Sequence, residues 1–66
     1  GATEVFDPGE VLNEALRLNA GSLERHGIQV GLELRSQAKL TADRHKVLQI
    51  LVNLLRNAEQ AVIEAS

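Results

Sequence analysis

The segment of residues 43–64 constrains the fold most, because its apolar residues recur with the period of an α-helix. At about 100° per residue, one arc of a helical wheel is apolar. Its members are Val47, Leu48, Leu51, Leu54, Leu55, Ala58 and Val62. The opposite side carries a polar stripe of Lys46, Gln49, Asn53, Asn57 and Gln60, flanked by Ile50 and Ala61 on one edge and by Val52 and Ile63 beyond the other. The pattern predicts a long helix contacted on more than one side, with two asparagines one turn apart.

A second helix is predicted in the first half of the chain. Asp7 suits the N-cap, Pro8 suits the first helical position, and Glu10 completes a capping box. The apolar face that follows consists of Val11, Leu12, Ala15, Leu16, Leu18 and Leu23. His26 and Gly27 provide a basic last turn and a C′ glycine, so the helix is expected to end near His26. Its last turns are expected to be weak because they contain Asn19, Gly21 and Ser22.

Three short segments read as strands. Residues 4–6 form a weakly patterned candidate, residues 28–34 alternate with period two, and residues 39–42 follow a turn at residues 36–38. Asp43 then caps the long helix. The predicted order is strand, helix, strand, strand, helix. It predicts an α+β fold, a partial two-layer sandwich with both helices on one side of a small mixed sheet.

Size and composition exclude several classes of function. The chain has 66 residues, so it is one small domain whose core contributes only about 3 to 5 kcal/mol, and an oligomer or further sequence would help it fold. A net charge of −2 and one aromatic residue, Phe6, which is expected in the core, argue against a nucleic-acid surface. No cysteine is present, and the apolar runs are too short to cross a bilayer. We expect a soluble domain.

The long helix also carries a recognisable motif. Read from Asp43 to Ala61, it has the form D-x3-VLQ-x-L-x-NLL-x-NA-x2-A, which resembles the N box of sensor histidine kinases in the GHKL ATPase superfamily. The preceding segments DPGEVLNEAL, RHGIQVGLEL and KLTAD resemble, in order and spacing, what comes before the N box in that family. The resemblance implies that residues 1–66 are the N-terminal portion of a cytoplasmic ATP-binding domain with an incomplete Bergerat-type fold. The glycine-bearing boxes and the lid that follow in the family are absent from these residues.

The resemblance also implies roles for particular residues. Asn57 corresponds to the family's Mg²⁺ ligand, and Asn53 would support the metal, a water or the phosphates of ATP. Gln60 and Ala61 complete the implied nucleotide-binding set, although many histidine kinases have a basic residue where this chain has Gln60. Related ATPases often have a water-activating glutamate at the position of Asn53. Its absence favours phosphotransfer over hydrolysis, and no catalytic residue is assigned within the chain.

The implied parent transfers the γ-phosphoryl group of ATP to a histidine of a dimerisation domain, which then supplies a response regulator. The parent is either free in the cytoplasm or membrane-anchored. Without the glycine-rich boxes, this chain is expected to be inactive and to bind nucleotide weakly or not at all.

His26 and His45 are expected to be ordinary surface or helix-end histidines, and Glu10, Glu14, Glu59 and Glu64 to be caps and solvated residues. The alternative is a non-catalytic module in which apolar helix surface, with Val52 and Ile63, mediates dimerisation.

Overall fold

The structure is a computed structural model that describes residues 2–31 and 39–65. Within these ranges the chain forms β1 (Glu4–Phe6), α1 (Pro8–Arg25), β2 (Leu40–Ala42) and α2 (Arg44–Ala65). The strands pair antiparallel, with Val5 opposite Thr41, and α1 packs against α2. The described chain is therefore a small α+β protein, which confirms the predicted class. The two-stranded sheet that it describes is antiparallel, whereas a mixed sheet was predicted.

Local chemistry determines where α1 begins and ends. Asp7 adopts an extended backbone, and its Oδ1 accepts a hydrogen bond of 2.8 Å from the N–H of Gly9. At the other end His26 is the C-cap, and Gly27 has a φ of 64°. The N–H of Ile28 donates to the carbonyl of Leu23 at 2.9 Å, and that of Gly27 to the carbonyl of Glu24 at 3.1 Å. These two bonds form a Schellman motif, and they confirm the predicted end of the helix.

The start of α2 is capped in the same manner. The backbone N–H of Lys46 donates to Oδ1 of Asp43 at 3.2 Å, and the N–H of Val47 donates to the Asp43 carbonyl at 3.1 Å. Asp43 directly follows β2, so the cap joins the sheet to α2 without a loop. An ion pair of 2.8 Å between Nη2 of Arg44 and Oε2 of Glu14 connects this first turn to α1.

The core is small and is centred on one stripe of α1. Val11, Ala15, Asn19 and Leu23 are buried at intervals of four residues, and Phe6 of β1 joins them with 6% of its surface exposed. Asn19 is the polar member of the stripe, and its Nδ2 donates to the carbonyl of Ala15 at 2.8 Å. That bond offsets the cost of burying the amide. The prediction that Phe6 lies in the core is confirmed.

Several sequence predictions are wrong in detail. Residues 28–31 lie outside any strand, and the rest of the predicted strand, together with the turn at 36–38, falls outside the described residues. Leu18, predicted on the buried face of α1, is 65% exposed, while Asn19 is buried in its place. On α2, Leu54 and Val62 of the predicted apolar arc are 58% and 50% exposed. The physical reason is that α1 packs on a neighbouring arc of α2.

Candidate functional site

The candidate site is a solvent-exposed surface of α2. Asn53 and Asn57 are both exposed there, four residues apart, so their backbones are separated by about 6 Å along the helix axis. Each presents an amide oxygen, a ligand type that Mg²⁺ accepts, and an amide NH₂ group that can donate to a phosphate oxygen. Both side chains are exposed, as the polar stripe predicts, while their roles in nucleotide binding stay a prediction.

Gln60 and Ala61 continue this surface by one turn and are also exposed. Nε2 of Gln60 donates to Oε1 of Glu64 at 3.2 Å, so its side chain points toward the C-terminal end of α2. The four residues do not line one common pocket. Asn53 borders a hollow of about 430 Å³ that also contains Leu18 and His45, whereas Gln60 borders a different groove.

That groove runs between the two helices and has a volume of about 620 Å³. Its polar lining consists of Asn19, Ser22, Arg25, His26, Arg56, Glu59 and Gln60. Arg56 lies one turn before Gln60 and is exposed, so a cation is present close to the position where the N-box resemblance lacks one. The signal was visible in the sequence, because residues four apart on a helix are neighbours.

Three of the groove residues form a hydrogen-bonded cluster. Ser22 Oγ donates to Oε1 of Glu59 in a short contact, and Nδ1 of His26 lies 3.4 Å from the same carboxylate oxygen. Nδ1 of His26 is also 2.9 Å from the carbonyl oxygen of Ser22. Because that carbonyl can only accept, this nitrogen carries the proton and donates.

Glu59 corrects a sequence prediction. It was expected on a solvated face, yet only 7% of its surface is exposed, and it is the one buried residue of α2. On the helical wheel Glu59 falls between Leu48 and Val52, so the helical period places it among apolar residues but does not show which arc of α2 meets α1. Val52 and Ile63, predicted as a residual apolar flank, are half-buried beside it in the groove against α1.

The histidines agree with the sequence prediction. His26 is a helix-end residue whose side chain is 41% exposed, and His45 is exposed in the first turn of α2. Within the described ranges, no three acidic or histidine side chains come together in a way that would hold a metal ion. Neither helix described is both long and apolar enough to cross a membrane.

Comparison with known proteins adds no assignment. No protein-family model matches the chain, and no solved structure resembles it significantly.

Proposed function

We propose that the chain is the N-terminal part of the ATP-binding domain of a cytoplasmic sensor histidine kinase module. In this proposal α2 carries the N box, Asn57 supplies an amide oxygen to the Mg²⁺ of Mg-ATP, and Asn53 supports the metal or the phosphates. Gln60 and Ala61 border the nucleotide. The parent protein transfers the γ-phosphoryl group to a histidine of a dimerisation domain, from which a response regulator is phosphorylated.

The observation that supports the proposal best is the orientation of α2. Glu59 is directed into the contact with α1, and Asn53 and Asn57 are exposed on another side of the helix. An N-box helix needs this arrangement, since a metal-bound phosphate can reach an amide only from solvent or from an open pocket. The motif gives the residue types, and the exposure of both asparagines leaves their amides open to solvent.

The chemistry of the pair suits a phosphate-bound magnesium ion. Mg²⁺ prefers oxygen ligands in an octahedral shell, and it takes few of them from the protein because phosphates and water supply the rest. One asparagine oxygen is sufficient for that role. Asn53 cannot act as a general base as a glutamate would, which is why the proposed reaction is transfer to a protein histidine rather than hydrolysis. The finer fold, an incomplete Bergerat-type two-layer sandwich, belongs to the same proposal.

The glycine-bearing segments that close on ATP in the family are not among these 66 residues. For the chain by itself we therefore expect no phosphotransfer, and only weak recognition of Mg-ATP with a Kd in the millimolar range, about −4 kcal/mol. Phosphotransfer from ATP by this chain alone would contradict that expectation.

The experiment is a titration of ¹⁵N-labelled chain with Mg-ATP at millimolar concentrations, in which the backbone and side-chain amide signals are followed. We expect shifts concentrated on Asn53, Asn57 and Gln60, and their loss in Asn57→Ala. Asn13→Ala removes an exposed amide from α1 and is the matched control, which should leave the shifts unchanged. A folded chain without shifts would contradict weak recognition of Mg-ATP by this chain alone, and shifts that survive in Asn57→Ala would refute the proposed role of Asn57.

A second candidate function, self-association through α2, is favoured by one specific observation. Ile50, Leu54 and Val62 are each at least half exposed on α2, and Ala58 and Ala61 between them are exposed as well. We propose a second copy of this chain as the occupant, because a core this small leaves stability to be gained by burying more apolar surface. This surface contains no charged residue that would oppose its own copy. Light scattering over a range of concentrations tests this, and a monomer at every concentration would exclude it.

A further inference from the structure

Ser22, His26 and Glu59 form a cluster that has no part in the proposed nucleotide binding. All three lie in the second half of their helices or at the C-cap, where the last turns of α1 meet α2. The carboxylate of Glu59 accepts from Ser22 Oγ and faces Nδ1 of His26 at 3.4 Å. Only 7% of the surface of Glu59 is exposed, and its carboxylate requires such partners, since an unpaired charge in the protein interior is strongly unfavourable.

The apolar contacts around this cluster cannot by themselves determine how α2 is rotated about its axis. The neighbouring α2 residues in the helix contact are Val52, Leu55 and Ile63, all of them half-buried. Apolar burial is non-directional, so a helix with apolar residues on several sides can present more than one arc to its neighbour at a similar free energy. Leu54 and Val62, which remain exposed, show that α2 has such a second arc.

Hydrogen bonds, by contrast, depend on distance and angle. A rotation of α2 by one residue, about 100°, would carry Glu59 away from Ser22 and from His26. At the opposite end of the helix pair, Arg44 and Glu14 form the 2.8 Å ion pair, but both side chains are about one-third exposed. A partly exposed ion pair contributes little. In the cluster, Glu59 is buried and its bond from Ser22 is partly buried, so that bond is better shielded from water than the contact to His26, whose side chain is 41% exposed.

We propose that Ser22, His26 and Glu59 form a polar latch that fixes the rotation of α2 on α1, with Glu59 as a positioning residue for the asparagine pair. On the wheel, Asn57 lies about 160° from Glu59, so holding Glu59 inward holds Asn57 outward. The latch concerns only how α2 packs on α1, so it can be tested without nucleotide. Its consequence for the position of Asn57 toward Mg-ATP rests on the proposed function.

The latch has a signature that a merely stabilising contact would lack. Replacing a buried polar group and its contacts with apolar residues is often neutral or favourable for stability, while the loss of direction reduces conformational uniqueness. Glu59→Leu removes only one partner, but it leaves no buried charge behind, because His26 is 41% exposed and its Nδ1 keeps the Ser22 carbonyl oxygen as a partner. The variant should therefore keep the chain helical and lower its melting temperature little, yet allow more than one helix alignment. Glu59→Gln preserves an oxygen that accepts from Ser22, so it should retain the single alignment.

The experiment is methyl NMR on the 66-residue chain without nucleotide. Nuclear Overhauser effects are measured between Leu18 of α1 and Val52 of α2, which line one hollow, and between Leu23 of α1 and Leu55 of α2, which line another. We expect one set of Overhauser effects in the unsubstituted chain and in Glu59→Gln. In Glu59→Leu we expect at least a twofold loss of these effects or additional sets of signals. Glu64→Leu makes the same change at an exposed carboxylate and serves as the control.

Ser22→Ala gives an independent measurement, because it removes only the donor to Glu59 and suits a helix. It decides the matter if Glu59→Leu does not fold. One unchanged set of effects in Ser22→Ala, or in a folded Glu59→Leu, would overturn the latch. The latch would also be overturned if Glu59→Gln lost the single set of Overhauser effects. That variant keeps the oxygen that accepts from Ser22, so the hydrogen bond could not be what holds the alignment.

The two proposals fail in different ways. If the unsubstituted chain shows no Mg-ATP shifts but Glu59→Leu loses the single alignment, Mg-ATP recognition by this chain fails and the latch stands. If the unsubstituted chain binds Mg-ATP through Asn57, and Glu59→Leu keeps both the helix alignment and the Mg-ATP shifts, the latch fails and the proposed function stands.

Discussion

Among single residues, Glu59 and Glu64 show how differently two glutamates of one helix can be placed. Glu64 is exposed and accepts from Gln60, a neighbour one turn away. Glu59 is buried and takes its partners from α1, 37 residues away in the case of Ser22. The first arrangement follows from local spacing and could be predicted. The second depends on which arc of α2 meets α1, and the helical period alone leaves two arcs open.

Gly27 carries the prediction that belongs to this scale. Its φ of 64° is left-handed, and a Cβ placed there would meet no atom within 4 Å. In Gly27→Ala the cost therefore comes from the backbone alone, and we expect a loss of about 1 to 2 kcal/mol in the free energy of unfolding. Urea unfolding followed by circular dichroism measures it. An unchanged midpoint would mean that the Schellman turn does not contribute to the stability of α1.

At the scale of the elements, the ends of α1 and α2 could be predicted from the sequence because caps are local chemistry. Asp7, Asp43 and Gly27 each interact with backbone groups within five residues. The strand expected at residues 28–34 could not be settled this way. Alternating apolar residues are compatible with a strand but do not provide a partner, and a strand exists only through its pairing. Residues 4–6 are a strand because β2 pairs with them.

Gly21 tests the expectation that the last turns of α1 are weak. The helix runs without interruption to Arg25, and Gly21 is an exposed position inside it with no atom within 4 Å of an added Cβ. We expect Gly21→Ala to raise the free energy of unfolding by about 0.5 to 1 kcal/mol, because alanine loses less backbone entropy in a helix.

The same urea titration provides the measurement for Gly21→Ala. Gly27→Ala is the matched control, since the identical change at a left-handed glycine should have the opposite sign. Stabilisation by both substitutions, or by neither, would show that backbone conformation is not what distinguishes the two sites.

For the molecule as a whole, the amount of buried apolar surface limits the stability of the fold. The apolar residues buried within the described ranges are Phe6, Val11, Ala15 and Leu23, while Leu54 and Ile50 of α2 remain more than half exposed. The sequence predicted the α+β class and an exposed asparagine pair, because both follow from periodicity. It could not predict how much of α2 would stay uncovered, since that depends on what else packs there. The uncovered apolar surface motivates self-association, whereas the exposed asparagine pair motivates nucleotide binding.

Val11 provides the prediction at this scale, because it is the largest side chain that is fully buried. Val11→Ala removes two methyl groups from the centre of the core, and we expect it to cost about 2 kcal/mol from transfer and cavity terms together. For a domain with only about 3 to 5 kcal/mol of stability, that is a large fraction, so unfolded chain should become detectable without denaturant.

Val62→Ala makes the same change at a half-exposed position of α2 and should alter stability by no more than about 0.5 kcal/mol. Thermal unfolding at several protein concentrations measures both variants. If Val62→Ala instead proved as costly as Val11→Ala, and its melting temperature fell with dilution, the exposed arc of α2 would be buried between copies in solution. Independence from concentration, with only Val11→Ala destabilised, would place the stabilising core in the monomer.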